Sequence, residues 1–324
     1  MTGMRTVAAL AALMLAAVLP SVAAAQDWPT RSIKIIVGFG AGGGTDLAAR
    51  IVAPALQDIL GVPVVVENKP SAGGIIGGDQ VAKGAKDGTT LLMMSNAHAV
   101  SAAMYKKLPY DPINDFQMLS LVGTAGLVMI TAPDFPANDV KGTIALLKAS
   151  PDKFNYGSAG VGTTQQFAAE LFNQMAGISI THVPYRSTPA VVAALMSKDV
   201  QYAFELIQVV TGQINANSLK AIAVTSPQRY PTLPEVPTFA ESGLSGYDVT
   251  SWYGLATAPG TPAPIVEKLH KAVIEALNKA AVRKQISDIG AQPRTSTPEE
   301  LSKHIAGEIA KWQGVREKAG IPQL

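Results

Sequence analysis

Two glycine-rich segments occupy the same kind of position in this chain, each between an apolar strand-like run and a helix-like run. The first covers residues 39–46 (FGAGGGTD) and the second covers residues 156–164 (YGSAGVGTT). Because glycine has no side chain, backbone N–H groups in such loops can converge on an anion at the start of a helix. Two of these loops in one chain predict a protein that binds an acidic small molecule between two lobes.

Strand-like and helix-like runs alternate along most of the chain. Apolar runs at 32–37, 63–67 and 89–94 predict strands, and apolar residues at helical spacing predict a helix over 45–60. A second series of strands is predicted at 154–156, 178–183, 200–204 and 219–224. This alternation favours βαβ units with right-handed connections. We therefore predict an α/β fold with two lobes, each a mostly parallel sheet flanked by helices.

The C-terminal part of the chain is predicted to be helical. Thr261 and Pro262 begin one predicted helix, and residues 297–300 (TPEE) form a capping box with proline at the first helical position of another. We expect these helices to pack on the first lobe, because they follow a proline-rich return segment. Runs 119–130 and 251–258 are candidate crossovers between the lobes. The predicted division is a signal peptide at 1–25, lobe I at 26–124 plus 227–324, and lobe II at 125–226.

The N-terminal segment is typical of a cleaved secretory signal. Arg5 supplies the positive region, residues 7–19 supply the apolar run, and Ala23-Ala24-Ala25 supplies the cleavage site. The apolar run is shorter than the roughly 20 residues that span a bilayer, which argues against a membrane anchor. The chain has no cysteine, which excludes disulfides and a lipid-modified N-terminal cysteine. We expect an exported protein located in a Gram-negative periplasm.

The charge balance argues against a nucleic-acid partner. The chain carries 26 basic and 24 acidic residues, and loss of Arg5 with the signal peptide leaves 25 basic residues. A nearly neutral chain implies no basic face with which to neutralise phosphates. We therefore expect a small-molecule ligand and no nucleic acid.

A dinucleotide fingerprint is formally present in the first loop. Gly38, Gly40 and Gly43 fit G-x-G-x-x-G after a strand, and Glu67 stands where a ribose-binding acid would stand. Dinucleotide binding is disfavoured because an exported protein has no ready supply of reduced nicotinamide. A P-loop is excluded because no Lys-Ser or Lys-Thr follows the glycines. We predict no cofactor. A turn that only reverses the chain is the other alternative to an anion-binding loop.

The sequence contains no recognisable catalytic or metal-binding motif. The four histidines, at positions 98, 182, 270 and 304, lack metal-ligand spacing, and neither G-x-S-x-G nor H-E-x-x-H occurs. Ser158 lies in a glycine-rich turn, but no histidine or acidic partner can be assigned to it. We predict no catalytic residue and no metal. An exported hydrolase and a sensory receptor that signals to a kinase are the alternatives to a transport receptor.

Polar residues beside the loops are candidates for ligand contact. A third glycine-rich segment, 71–78, follows the second strand, and the strand-to-helix loops of an open α/β sheet gather at one edge. Thr45, Thr163 and Thr164 stand where a helix-capping hydroxyl can also face a ligand, with capping alone as an equal alternative. Glu205 ends a predicted strand and either faces the same edge as a ligand contact or is a solvated acid there.

These segments, in this order, make the chain resemble the periplasmic substrate-binding receptors of tripartite tricarboxylate transporters, the TctC or Bug family. The matching stretches are 28–37 (WPTRSIKIIV), 39–46, 65–70 (VVENKP) with 72–74, 87–93 (DGTTLLM), 156–160, 182–185 (HVPY), 223–226 (AVTS) and 252–255 (WYGL). The resemblance implies a type II periplasmic-binding fold, in which two lobes close on a ligand. It also implies delivery of that ligand to the membrane subunits of a transporter.

The resemblance further implies where the ligand binds. In the family, backbone amides and hydroxyls from the two glycine loops hold one carboxylate of the ligand. With Glu205 added from its strand-end position, the candidate ligand-binding residues are Phe39, Ala41, Gly42, Gly43, Thr45, Ala72, Gly73, Ser158, Gly162, Thr163, Thr164 and Glu205. The implied ligand is a mono-, di- or tricarboxylate, aromatic acids included. The implied protein is a monomer that contacts an inner-membrane permease peripherally.

The chain departs from the family pattern in the part of the site that lies away from the glycine loops. Arg186-Ser187 replaces the usual Lys-Gly, Gln201 replaces a common Asp, and Glu205 stands in place of an Asp. The carboxylate-binding half of the site therefore transfers to this chain, whereas the half that sets selectivity does not. Phe39 and Trp252 are candidate apolar walls, with a core position as the alternative.

Overall fold

The computed structural model describes residues 28–324, so the predicted signal peptide lies outside the described residues. The strands are β1 (Ile33–Val37), β2 (Val64–Asn68), β3 (Thr90–Ser95), β4 (Gln117–Thr131), β5 (Asn155–Ser158), β6 (Thr181–Pro184), β7 (Tyr202–Leu206), β8 (Lys220–Val224), β9 (Thr250–Thr257) and β10 (Gln292–Pro293). The helices are α1 (Gly44–Leu60), α2 (Ile75–Ala82), α3 (Asn96–Met104), α4 (Val140–Ala149), α5 (Thr164–Ala176), α6 (Thr188–Ser197), α7 (Ile207–Asn215), α8 (Ala263–Asn278), α9 (Ala280–Asp288) and α10 (Pro298–Lys318). Single 3₁₀ turns cover Ala72–Gly74 and Pro151–Lys153.

The strands hydrogen-bond in the order β2-β1-β3-β9-β4-β7-β5-β6, and β8 and β10 also pair with β4. Strand β1 is parallel to β2 and β3, and β5 is parallel to β6 and β7. Strand β9 is antiparallel to β3 and β4, and β4 is antiparallel to β7, β8 and β10. Most strands in each half therefore run the same way, as predicted. We name the half with β1–β3, β9 and β10 lobe I and the half with β5–β8 lobe II.

The two candidate crossovers are strands that connect the lobes. Strand β4 pairs with β9 of lobe I as far as the Gly126–Thr250 pair, and from Leu127 onward it pairs with β7 of lobe II. The hydroxyl of Thr225 accepts a hydrogen bond from Leu127 N (3.0 Å) and donates to Val249 O (2.5 Å). The chain therefore passes between the lobes at two adjacent points, after Gly126 of β4 and before Thr250 of β9.

The segment 227–249, which the sequence analysis assigned to lobe I, packs mainly against lobe II. Phe239 stacks on Phe204 of β7 with 5.7 Å between the ring centroids. The Tyr247 hydroxyl donates to Ala168 O of α5 at 2.8 Å. Burying one large apolar side chain contributes about 1.5–3 kcal/mol relative to leaving it exposed. This aromatic packing holds the segment on lobe II up to the start of β9.

The C-terminal helices pack on lobe I, as expected. Helix α8 lies against α1 and β4, and α10 lies against α3 and β4. The capping box at the start of α10 is confirmed, because Thr297 Oγ1 accepts from Glu300 N (3.1 Å) and Glu300 Oε2 accepts from Thr297 N (2.9 Å). Helix α10 also reaches α5 of lobe II, where Gln174 Nε2 donates to Val315 O at 2.7 Å. Between Trp28 and Leu324, no helix has the length and hydropathy of a membrane span.

Candidate functional site

A cavity of about 450 Å³ lies between the lobes, and we call it the cleft cavity. Three helices begin at its wall: α1 after Gly43, α3 after Ser95 and α5 after Thr163. Helices α1 and α3 belong to lobe I and α5 belongs to lobe II, so the cavity is built from both sides. Each helix follows the carboxyl end of a strand, which is the edge at which ligands bind in open α/β sheets.

The electrostatic character of the cleft cavity comes from the backbone. No lining residue from the described range carries an acidic, basic or imidazole side chain. Gly43, at the start of α1, has no side chain, and the Ser95 side chain makes no capping hydrogen bond to α3. The first N–H groups of a helix have no intrahelical partner and carry the positive end of the helix dipole. The cavity therefore presents converging N–H donors to an anion without using a lysine or arginine.

The first glycine loop is held from behind by Asp46. The carboxylate of Asp46 accepts from Gly42 N (2.8 Å), Arg50 Nε (2.9 Å) and Asn68 Nδ2 (2.9 Å). Burial alone raises the pKa of this carboxyl, but the hydrogen bonds from Arg50, Gly42 and Asn68 together hold it below its usual value. Asp46 therefore stays ionised and uses the Gly42 N–H itself. This leaves the next residues, Gly43 to Thr45, to face the cavity.

The second glycine loop is fixed by its own side chains. Thr163 Oγ1 accepts from Gln166 N (3.3 Å) and donates to Gly160 O (2.7 Å), so its predicted capping role is confirmed. Gly162 N donates to Gln166 Oε1 at 2.8 Å. Gly160 and Gly162 have φ angles of +135° and +77°, which side chains other than hydrogen strongly disfavour. The loop needs glycine for its backbone path as well as for access to the cavity.

Ser158 has a histidine partner that the sequence did not reveal. Its Oγ lies 2.7 Å from His182 Nε2, and the His182 ring stacks on Tyr156 with 4.8 Å between centroids. Burial lowers the pKa of His182 to about 4, so the ring is neutral at physiological pH. Within residues 28–324 no carboxylate bonds to His182, and Ser158 is fully buried, away from the cleft cavity. The pair supports the second loop and does not present a nucleophile to the cavity.

Glu205 is fully buried behind the wall of the cleft cavity. Its Oε2 accepts from Thr188 Oγ1 at 2.8 Å and lies 3.5 Å from Gln165 Nε2, while its Oε1 has no partner among the described residues. Burial raises the pKa of Glu205 to about 7, although the hydrogen bonds from Thr188 and Gln165 oppose this rise. Gln165 lines the cavity, so Glu205 reaches it only through this amide. A solvated acid at a strand end is therefore the wrong description.

The structure brings eight of the twelve candidate residues to the cleft cavity. They are Phe39, Gly43, Thr45, Ala72, Gly73, Gly162, Thr163 and Thr164. The other four, Ala41, Gly42, Ser158 and Glu205, do not line it. Of the two candidate apolar wall residues, Phe39 lines the cleft cavity, whereas Trp252 is fully buried and faces another cavity. Gln201 is also remote from the cleft, since it bonds to Asn155 N and Lys198 O.

Several lining residues were missed by the sequence analysis. Ser95 is the last residue of β3 and lies at the same edge of the sheet as the glycine loops, so the same strand-edge argument could have found it. Ser101 and Tyr253 supply further hydroxyls at the wall, and their inward direction depends on helix and strand register. Burial raises the pKa of Tyr253 to about 12, so its hydroxyl keeps its proton. No cluster of three potential metal ligands occurs from Trp28 onward.

Comparison with known proteins relates this chain to a receptor family. Residues 48–321 match the profile of the tripartite tricarboxylate transporter family receptor. Protein BugT of Bordetella pertussis is 35% identical over 298 residues, which cover 91% of this chain and 91% of BugT. MatC from Rhodopseudomonas palustris, solved with bound malate, is 32% identical, with a TM-score of 0.76 over 89% of this chain and 99% of MatC. Rpa4515 of R. palustris, solved with adipate, is 30% identical, with a TM-score of 0.81 over 92% of this chain and 100% of Rpa4515.

Proposed function

This chain belongs to the tripartite tricarboxylate transporter receptor family, and we propose that it captures a small carboxylate in the periplasm and delivers it to a transporter of that type. One observation carries the proposal: three helix N-termini from both lobes converge on a cavity that no charged side chain of the described residues lines. The two oxygens of a carboxylate can accept hydrogen bonds from several neighbouring N–H donors at the start of a helix. The malate and adipate bound by MatC and Rpa4515 support the same class of ligand.

Hydrogen bonds alone supply a large part of the binding free energy at such a site, without an arginine. A hydrogen bond to a charged group contributes about 1.5–3 kcal/mol. Three or four such bonds offset much of the association cost, which is about 4–15 kcal/mol. Ser95, Ser101 and Tyr253 add neutral hydroxyl donors at the same wall. The absence of a competing positive side chain leaves selectivity to the shape of the cavity and to these hydroxyls.

Closure of the lobes follows from the two-sided origin of the donors. Lobe I supplies the starts of α1 and α3, and lobe II supplies the start of α5, so a ligand makes all its bonds only when the lobes meet. A ligand shifts a conformational equilibrium by its difference in affinity for the two states. The closed form is then the state that the membrane subunits recognise. We place lobe II at residues 127–249, because segment 227–249 packs on it and β4 changes its partner from β9 to β7 after Gly126, and we assign the hinge to the Gly126–Thr250 pair.

The proposed setting is the periplasm, with a monomeric receptor that contacts the membrane only through its permease. The signal-like segment at the N-terminus and the family membership support export. The receptor acts by binding and release, and the buried Ser158–His182 pair gives no support to the hydrolase alternative.

A thermal-shift screen on refolded, ligand-stripped protein tests the proposal. The panel contains malate, adipate, citrate and benzoate, with NAD and glucose as representatives of other ligand classes. We expect at least one of the acids to raise the melting temperature in a concentration-dependent way, followed by saturable binding in calorimetry. A panel in which NAD or glucose shifts the transition and none of the acids does would overturn the proposal.

A further inference from the structure

A second cavity, of about 390 Å³, lies on the other face of the hinge, and we call it the hinge cavity. Alternate residues of β9 separate the two cavities: Ser251 and Tyr253 line the cleft cavity, whereas Thr250 and Trp252 line the hinge cavity. Successive side chains of a strand point to opposite faces, which explains this division. Gly126, the pairing partner of Thr250, also lines the hinge cavity. The cavity is therefore built on the strand pair about which the lobes move.

The wall of the hinge cavity contains buried polar atoms without partners. Trp252 is fully buried, and its Nε1 has no hydrogen-bond partner within the described part of the chain. His304 Nε2 is likewise buried and without a partner there, and the two rings meet edge-on at 5.4 Å between centroids. An indole N–H can only donate, and a buried donor left unpaired is costly. The indole N–H needs an acceptor, whereas His304 Nε2 donates or accepts according to its tautomer.

One acid and one base at the same cavity are not in ion pairs. Asp248 lies on the lobe II side and Arg294 on the lobe I side, and neither forms a salt bridge with any residue from 28 to 324. The other two charged residues of the wall, Lys311 and Glu308, pair with each other. Glu308 also accepts from Trp312 Nε1 at 3.0 Å. The unpaired charges are thus one carboxylate and one guanidinium, on opposite lobes.

From this arrangement we propose that the hinge cavity binds a small zwitterion of the α-amino-acid class. The ammonium group of the ligand pairs with Asp248, and its carboxylate accepts from Arg294 and from the Trp252 indole N–H. Charge-assisted hydrogen bonds of this kind are the strong ones in proteins. A ligand with only one charge leaves either Asp248 or Arg294 without its partner, so an acid or an amine alone binds less well. The site is separate from the carboxylate-binding loops, which lie on the cleft face.

Binding at the hinge cavity affects the cleft because the ligand bridges the lobes. In this structure the lobes already touch across the cleft, where Asn96 Nδ2 donates to Thr164 Oγ1 at 3.0 Å. An amino acid that spans Asp248 and Arg294 as they are placed here holds the hinge at this angle. The closed cleft is then more populated, and the affinity for the cleft ligand rises. Coupling between two binding sites is reciprocal and is typically about 5–150-fold.

Calorimetry on the purified protein tests the site, with each proteinogenic L-amino acid titrated in turn. The variants are Asp248→Asn and Arg294→Gln, which change exposed charges at the hinge cavity. We expect at least one amino acid to bind, and to bind at least about tenfold more weakly in each charge variant, as the loss of one charge-assisted bond implies. The deaminated acid of the same amino acid should bind more weakly than the amino acid.

Two results overturn the site: no amino acid binds, or the one that binds keeps its affinity in Asp248→Asn and Arg294→Gln. Retained binding in Trp252→Phe at full affinity removes the indole N–H from the proposal. The coupling is tested by titrating the carboxylate found in the thermal-shift screen with and without the amino acid. The coupling measurement rests on the proposed function, and a carboxylate affinity that is unchanged or weaker in the presence of the amino acid overturns the coupling. The amino-acid titration needs no carboxylate ligand, so failure of the hinge site can be distinguished from failure of the proposed function.

Discussion

The side-chain amide of Asn96 joins the two lobes at the cleft. Its Nδ2 donates to Thr164 Oγ1 at 3.0 Å, and its Oδ1 accepts from Trp312 Nε1 at 3.2 Å. Asn96 is the first residue of α3 and Thr164 is the first residue of α5, so the bond connects two of the helix starts that face the cavity. In the proposed closing motion, this bond forms only when the lobes are together, so it would stabilise the closed form directly.

Replacing Asn96 with alanine should weaken ligand binding while the protein stays folded. A neutral hydrogen bond contributes about 0.5–1.5 kcal/mol, so we expect a loss of roughly two- to tenfold in affinity by calorimetry. Trp312 Nε1 keeps its second acceptor, Glu308 Oε2, in the variant. Thr164→Val removes the same bond from the other lobe together with a hydroxyl of the cavity wall, so the double variant should lose little more than Thr164→Val alone. Additive losses would show that the two residues act separately.

Gly162→Val should abolish binding at the cleft. Gly162 has a φ of +77°, and a Cβ there would lie 4.0 Å from Met104 Cγ of the opposite lobe. A valine side chain strains the loop and fills the space in which the lobes meet. The matched control is Gly177→Val, at the far end of the same helix, where φ is +64° and nothing lies within 4 Å of the added Cβ. We expect similar losses of melting temperature in both variants but loss of binding only in Gly162→Val. Equal affinities in the two variants would contradict the assignment.

Gly44 and Tyr253 both line the cleft cavity, and they lie so close together that Gly44 has no room for a side chain. A Cβ on Gly44 would collide with the Tyr253 hydroxyl and lie 3.2 Å from Tyr253 Cζ. Gly44→Ala should therefore lower stability, and Tyr253→Phe should restore part of it in the double variant, because the colliding oxygen is gone. Chemical denaturation of the four proteins measures the coupling. If Tyr253→Phe costs as much in the alanine background as in the wild type, the collision is not the cause.

The fold could be predicted from the sequence because its signals are local. Apolar runs bounded by glycine loops identified the seven predicted strands, with ends displaced by up to three residues, and the capping box at Thr297 fixed the start of α10. Helices α2, α3, α4, α6, α7 and α9 were not predicted, since each has only 8 to 10 residues and shows helical spacing over few turns, although Asp139 caps α4 and Pro189 stands in the first turn of α6. The predicted end of lobe II at residue 226 was based on the proline-rich segment that follows. In the structure, Phe239 and Tyr247 of that segment pack on lobe II, and such long-range contacts are not visible in the sequence.

The site could be predicted only where the backbone forms it. Glycine loops are visible in a sequence, and Gly43, Gly73 and Gly162 do line the cleft cavity. Side chains that arrive from other elements are not visible in this way. The partnership of Ser158 with His182 joins residues 24 positions apart through the pairing of β5 with β6. Such contacts depend on strand register, which the sequence alone does not specify.

Glu205→Gln should change how stability depends on pH. The pKa of Glu205 is about 7 in the folded protein against an ordinary value of 4.5, chiefly because the group is buried. Between these two values the unfolded chain releases the proton while the folded chain keeps it, so stability falls as pH rises through this window. The shift corresponds to about 3 kcal/mol. Glutamine does not ionise, so the stability of the variant relative to wild type should rise by up to this amount between about pH 4 and about pH 8.

Denaturant titrations across this pH range measure the effect, with Glu241→Gln as the control. Glu241 is an exposed acid whose pKa is lowered by the Thr238 backbone N–H and by Arg229. Its stabilising contribution is therefore present above its ordinary pKa and lost as pH falls, which is the opposite sign. A Glu205 variant whose stability tracks wild type at every pH would mean that the carboxyl ionises normally in the folded protein. The interior behind Gln165 would then have to be open to water, which conflicts with the full burial of Glu205.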